Sequence, residues 1–214
     1  MLFRSALVLV RQAGESPIGN ATQIFVHARD EPNTFAKICA ALDSLDLSVH
    51  DARIYSDDDG STLDTFYVLH SDGSSLDPHP DTFREIRQTI QHSLLQASAK
   101  TVTRRMPRTV RAFTIPTQIH FSKDELSGLT TLEISTADRP GLLARIGSVL
   151  SRHGVTVQGA KIQTLGERVE DIFLLSDDAG QSLQDQALIA QLERELIEEM
   201  HSGQHREPVV EIAV

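Results

Sequence analysis

Asp138-Arg139-Pro140-Gly141-Leu142-Leu143-Ala144-Arg145-Ile146-Gly147-Ser148-Val149-Leu150 is the stretch on which the reading of this chain turns. Asp138 stands where an N-cap would, and Pro140 suits a first helical turn. Leu142, Leu143, Ile146, Val149 and Leu150 recur at the spacing of one buried helix face. His153-Gly154 ends the run with a glycine free to take the left-handed conformation past a helix end. Upstream, Leu132-Glu133-Ile134-Ser135-Thr136 alternates apolar and polar residues as a half-buried strand does. The Asp-Arg-Pro-Gly turn thus joins a strand end to a helix start, a junction whose free N–H groups suit a small anion or an amino acid.

The signature occurs twice. An offset of 108 superposes Asp30 on Asp138, Pro32 on Pro140, Ala36 on Ala144, Ile38 on Ile146, Leu42 on Leu150, Val49 on Val157, Ala52 on Ala160 and Ile54 on Ile162. At 107 the register continues, pairing Asp64 with Asp171, Phe66 with Phe173, Gly73 with Gly180 and Leu76 with Leu183. Matches at turn and core positions in one order predict two copies of one domain, residues 1–115 and 116–214.

In the first copy the pattern predicts strands at Thr22–Ala28, Leu47–Tyr55 and Leu63–Leu69, with helices at Asn33–Leu45 and from Phe83 to about Ala99. The second copy predicts strands at Leu129–Thr136, Val155–Gln163 and Val169–Ser176, helices at Pro140–Arg152 and about Gln184–Met200, and a closing strand at Pro208–Ala213. The β-α-β-β-α-β order is the ferredoxin-like α+β plan, an antiparallel sheet with both helices on one face. Thr109–Thr114 is a candidate closing strand for copy one. Gln118–Ser122 and Ala6–Val10 are candidate leading strands for the two copies.

Composition narrows the function. In 214 residues, 40% hydrophobic, there is material for folded cores, and a formal net charge of −10 argues against nucleic acid or an anionic membrane as main partner. The apolar run Ser5–Val10 is too short for a signal peptide or a membrane span, so a cytoplasmic protein is expected. The single cysteine, Cys39, reads as a core residue and excludes an internal disulfide. Asp57-Asp58-Asp59-Gly60 reads as a hairpin turn, lacking the alternate spacing and closing Glu of an EF-hand loop. Lys100, Arg104, Arg105, Arg108 and Arg111, the one basic cluster, reads as a solvated linker.

A strand running into Asp-Arg-Pro-Gly-Leu-Leu within this order resembles the ACT domain, a regulatory module that usually binds amino acids. Val49-His50-Asp51-Ala52-Arg53-Ile54, Ile115-Pro116-Thr117 and the stretch Ala160 to Phe173, with its Gly166-Glu167-Arg168-Val169-Glu170-Asp171, narrow the likeness. They resemble the tandem ACT region of bifunctional protein-PII uridylyltransferase/uridylyl-removing enzymes, from about Leu7 to Met200. The resemblance implies a glutamine-sensing module in nitrogen regulation, acting on the catalytic domains of a parent enzyme and through them on the PII protein. The catalytic part itself is not expected in this chain. No Gly-Ser turn is followed by an Asp-x-Asp pair at the spacing of a nucleotidyltransferase, and His50-Asp51 has no second His at a useful position. Mg²⁺ is therefore expected only for catalytic domains, and no cofactor or metal for this chain.

The expected ligand contacts are Asp138, Arg139, Pro140, Gly141, Leu142 and Leu143, joined by Gln158 from a neighbouring strand. Gly141 allows close backbone approach. Copy one keeps Asp30, Pro32, Asn33 and Thr34 but not the glycine, so a weaker site is expected there. Asp138–Gly141 can also serve only as a helix cap, and Asp64 and Asp171 can be carboxylates satisfied by nearby loops or take part in the contact between the copies. The alternative function is a ligand-independent ACT assembly module, with pairing of copies within or between chains.

Overall fold

The computed structural model describes residues 6–14, 19–31, 33–57, 59–99 and 115–201. Strands are β1 (Leu7–Gln12), β2 (Thr22–Arg29), β3 (Leu47–Tyr55), β4 (Ser61–His70), β5 (Gln118–Lys123), β6 (Thr130–Ala137), β7 (Thr156–Leu165) and β8 (Arg168–Ser176). Helices are α1 (Thr34–Ser44), α2 (Pro80–Leu94), α3 (Leu142–Arg152) and α4 (Gln186–His201). Each half is α+β and ferredoxin-like, as the repeat predicts. The strands form one antiparallel sheet in the order β1-β2-β4-β3-β7-β8-β6-β5 rather than two separate sheets. The helices follow one another as α2-α1-α3-α4 against one face of it.

Both leading strands pair: Val8 lies opposite Val26, and Phe121 opposite Leu132. Each takes the place beside its unit's opening strand that a closing strand holds in the βαββαβ plan. The candidate closing strands at 109–114 and 208–213, the basic cluster and Pro32 lie outside the described residues.

The halves join through β3 and β7. Arg53 pairs with Lys161, its own equivalent at the 108-residue offset, while Ala52 pairs with Ile162 and Ile54 with Ala160. A pseudo-two-fold axis therefore passes between Arg53 and Lys161. Above it α1 crosses α3 at Gly147, where an added Cβ would lie 3.0 Å from the Ala36 Cβ and 3.0 Å from the Phe35 ring. Phe35 of copy one meets Phe173 of copy two edge to face, with centroids 5.9 Å apart.

The core lies between sheet and helices. Ile24, Phe66, Ile38, Leu42, Ile146, Leu150, Ile134 and Phe173 are all buried, and Cys39 lies among them. Full burial of such a side chain contributes about 1.5–3 kcal/mol, so this layer dominates stability. The opposite face leaves Leu9, Tyr55, Leu63, Leu165 and Ile172 exposed. No helix among the described residues is long and apolar enough to cross a membrane.

Candidate functional site

The turn before α3 departs from the expected cap. Gly141, not Asp138, is the N-cap residue, at φ 71° and ψ 11°, and no side chain caps the helix. α3 starts at Leu142, so Pro140 precedes the helix instead of opening its first turn. The backbone fixes the turn: Asp138 N–H donates to the Glu167 carbonyl (2.8 Å), Leu142 N–H to Arg139 (3.1 Å) and Arg145 N–H to Gly141 (3.0 Å). A residue at positive φ is needed because the chain reverses from strand to helix without a capping side chain; glycine meets this without a Cβ clash.

Copy one builds the same turn with Asn33, at φ 69° and ψ 6°. Asparagine is among the few L-residues that visit this region routinely. Thr34 there accepts from the Glu31 N–H (3.0 Å), and the Asp30 N–H donates to the Gly60 carbonyl (2.9 Å). The Asp30 carboxylate bonds Ser56 and is raised in pKa, chiefly by burial.

Between the copies lies a cavity of about 200 Å³. Copy two contributes the turn from Asp138 to Ala144, which brings together six of the seven expected residues: Asp138, Arg139, Pro140, Gly141, Leu142 and Leu143. Copy one contributes the end of α1 with Cys39 and Asp43, then Asp46, the start of β3 from Leu47 to Val49, and Ser71. Ile162, Thr164, Val169 and Asp171 form its floor.

Gln158 is not brought there. It sits in β7 at a bulge, its amide donates to the Ser176 hydroxyl (2.9 Å), and its carbonyl accepts from the Ser56 N–H (3.1 Å). Under the pseudo-two-fold it belongs to the Asp30 side of the molecule. Its equivalent at the 108 offset is His50, at the matching bulge of β3. Burial holds the imidazole below its usual pKa, opposed by the attraction of Asp138. The strand facing the Asp138 turn is therefore that of the other copy, β3.

The sequence carries no signal for Asp46. Asp46 holds φ 64°, fixed by Ser71, whose N–H donates to its carbonyl (3.0 Å) and whose hydroxyl donates to its carboxylate (2.6 Å). His50 belongs to the stretch that carries the family likeness and to a hydrolase-like dipeptide, but nothing in the sequence places it beside the Asp138 turn. Asp171 is expected as a loop-satisfied acid, and satisfaction is only partial: Oδ1 accepts from the Gln163 N–H (3.3 Å) while Oδ2 has no partner. Its residue exposure is 1% and burial pushes its pKa up to about 7. Asp138 is raised as well, first by burial, with His50 acting against it. Arg139 extends from the cavity wall to donate to the Met200 carbonyl.

Such an enclosure can hold a molecule smaller than those filling drug-sized pockets of about 300–1,000 Å³. It offers helix-start N–H groups for a carboxylate and buried carboxylates for a cation. Among the described residues, no group of three His, Cys, Asp or Glu side chains could hold a metal ion.

The ACT domain family profile matches residues 130–196, and that of the plant bHLH transcription factor ACT-like domain matches residues 16–95. The chain is 41% identical over 199 residues to the bifunctional uridylyltransferase/uridylyl-removing enzyme of Azotobacter vinelandii (strain DJ / ATCC BAA-1303), covering 92% of this chain and 22% of that protein. It is 38% identical over 200 residues to the protein of the same name from Pseudomonas putida (strain W619), with the same coverages. The likeness to the one from Stutzerimonas stutzeri (strain A1501) is 39% over 204 residues, covering 94% and 23%. The chain thus spans about a fifth of the length of these relatives. Among solved structures, aspartate kinase from Synechocystis is similar with a TM-score of 0.43 and 11% identity, over 85% of this chain and 26% of that one.

Proposed function

Given that the chain belongs to the ACT-domain family, as a tandem pair related to part of bifunctional uridylyltransferase/uridylyl-removing enzymes, we propose that it is an amino-acid-sensing regulatory module with glutamine as its ligand. The observation that carries this reading is the cavity closed by the Asp138–Leu143 turn of one copy against α1 and β3 of the other. A ligand there touches both copies at once. Its binding energy favours whichever relative placement of the copies fits it best, and an equilibrium shifts only by such a difference in affinity.

In this mechanism the ligand carboxylate is held by the Leu143 and Ala144 N–H groups in the first turn of α3, next to the Leu142 N–H that the Arg139 carbonyl already engages, and the rest of the molecule faces the walls given by copy one. The signal passes to catalytic domains of a parent uridylyltransferase, with the PII protein as the target of that enzyme's chemistry and Mg²⁺ needed only there. A second reading, ligand-independent assembly, draws on the unbroken sheet: β3 and β7 already join the copies through main-chain pairing without any ligand.

Thermal melting with and without glutamine separates the two. A specific ligand at one hundred times its Kd raises stability by about 2.7 kcal/mol, whereas an assembly module shows no shift. Absence of any shift with saturating glutamine would overturn the sensing reading.

A further inference from the structure

We infer that Asp171 is the anchor for an ammonium group of the cavity's ligand, and so the residue by which the cavity tells an amine from its deaminated counterpart. The inference rests on the reading of the cavity as an amino-acid site.

Asp171 lies on β8, on the helix side of the sheet, 1% exposed, and forms part of the cavity floor. One of its oxygens takes the Gln163 N–H at 3.3 Å; the other has no partner. A buried polar oxygen without a hydrogen-bond partner is costly, and a carboxylate more so. An alkylammonium brings three N–H donors and the opposite charge, which is what the unpartnered oxygen of this carboxylate lacks.

The charges around it point the same way. The turn before α3 presents Asp138 and Arg139, α1 presents Asp43 and the buried Cys39 thiol, Asp46 follows α1, and His50 comes from β3 opposite Asp138. Among the described residues that line the cavity Arg139 is the one cation, and its guanidinium donates to the Met200 carbonyl. Asp43 faces Arg145 beyond the lining, and Asp46 takes the Ser71 hydroxyl. Asp138 and Asp171 against one engaged guanidinium still favour a cationic ligand end at the floor, leaving the helix start for an anionic end.

Copy one contains its own control. Asp64 is the repeat equivalent of Asp171, is equally buried at 1%, and also leaves Oδ2 without a partner, yet it does not line this cavity. A merely structural role predicts the same effect from either substitution; an anchoring role does not.

The test is calorimetric titration of the full chain and of its Asp171→Asn and Asp64→Asn variants with glutamine, with 4-carbamoylbutanoate (glutamine without its amine) and with lysine. Wild type is expected to prefer glutamine to 4-carbamoylbutanoate by about ten-fold to a hundred-fold, the worth of a hydrogen-bonded charge. Asp171→Asn is expected to weaken glutamine by a similar factor and to erase the preference, while Asp64→Asn retains both. Binding of lysine in place of glutamine, lost in Asp171→Asn, supports the anchor with a different amino acid as ligand. Asp171→Asn binding glutamine with the wild-type preference overturns the anchor and leaves the amino-acid site standing; no binding of any of the three by wild type overturns both. Should Asp171→Asn fail to fold, Asp171→Ala is titrated with the same three ligands: loss of the preference for glutamine over 4-carbamoylbutanoate supports the anchor, and its retention overturns it.

Discussion

Asp64 and Asp171 occupy equivalent positions in the two copies and share one arrangement: in each, Oδ1 is held, by the Thr62 hydroxyl in one and the Gln163 N–H in the other, while Oδ2 has no partner. Burial is the first cause of a pKa of about 7 at both. Asp30 stands near the first and Asp138 near the second, each adding a like charge. The repeat thus carries a buried acid as regularly as it carries its phenylalanines.

Stability should fall as pH rises. In the unfolded chain these carboxyls titrate near 3.8, and in the fold near 7, so the folded state holds protons that the unfolded state releases. Their contribution is fullest below the unfolded value, declines between the two and is flat above the folded one. At about pH 8, Asp64→Asn or Asp171→Asn should each raise stability by on the order of 1–4 kcal/mol, and at about pH 4 by little. Urea denaturation at the two pH values measures the difference; equal effects at both would contradict it.

Gly141 should tolerate asparagine but not valine. At φ 71° a β-branched residue is strained by on the order of 1–3 kcal/mol. Asn33 holds φ 69° at the equivalent turn, so Gly141→Asn should keep the turn while its side chain weakens ligand affinity, and Gly141→Val should lose both. Melting temperatures and glutamine titrations of the two variants test this; equal behaviour would show that positive φ is not the constraint.

Gly147→Val should loosen the contact between the copies. Its Cβ would meet Ala36 and Phe35 at 3.0 Å, with the Ala36 backbone at 3.2 Å, so α1 and α3 must separate. A cost of about 1–3 kcal/mol is expected, as for other overpacked sites, read as a lower denaturation midpoint. An unchanged midpoint would mean that the helices do not cross here.

Lys161→Glu should stabilise the central strand pair. Lys161 lies opposite Arg53, and like charges directly across two strands repel. Reversing one should add up to about 1 kcal/mol, lost when Arg53 is changed to glutamate in the same chain. A double-mutant cycle with no coupling would contradict the Arg53–Lys161 register.

Much of this fold was legible because repeats and periodicity are local signals. The 108-residue offset, the α3 stripe from Leu142 to Leu150 and the pairing of both leading strands all follow from short-range pattern. Strand β3 keeps its predicted bounds, Leu47–Tyr55. The cap was misplaced because Asp138 satisfies the usual N-cap preference, whereas the turn is set by a left-handed backbone at Gly141 and by main-chain bonds that composition does not reveal.

The cavity was legible by only one wall. The Asp138–Leu143 turn announces itself, but Asp43, Asp46 and Ser71 arrive from the other copy, far back in the chain, through β3–β7 pairing that has no local signature. The same pairing explains Gln158: a pseudo-two-fold sends each bulge toward the opposite copy's turn, so the residue expected near Asp138 belongs beside Ser56.

A crystal structure of the chain with bound glutamine tests the central claim most directly. The account predicts density for one molecule between the Asp138–Leu143 turn and the Leu47–Val49 strand start, its carboxylate at the first turn of α3 and its ammonium toward Asp171. An empty cavity at saturating glutamine, or glutamine bound only elsewhere, would contradict it.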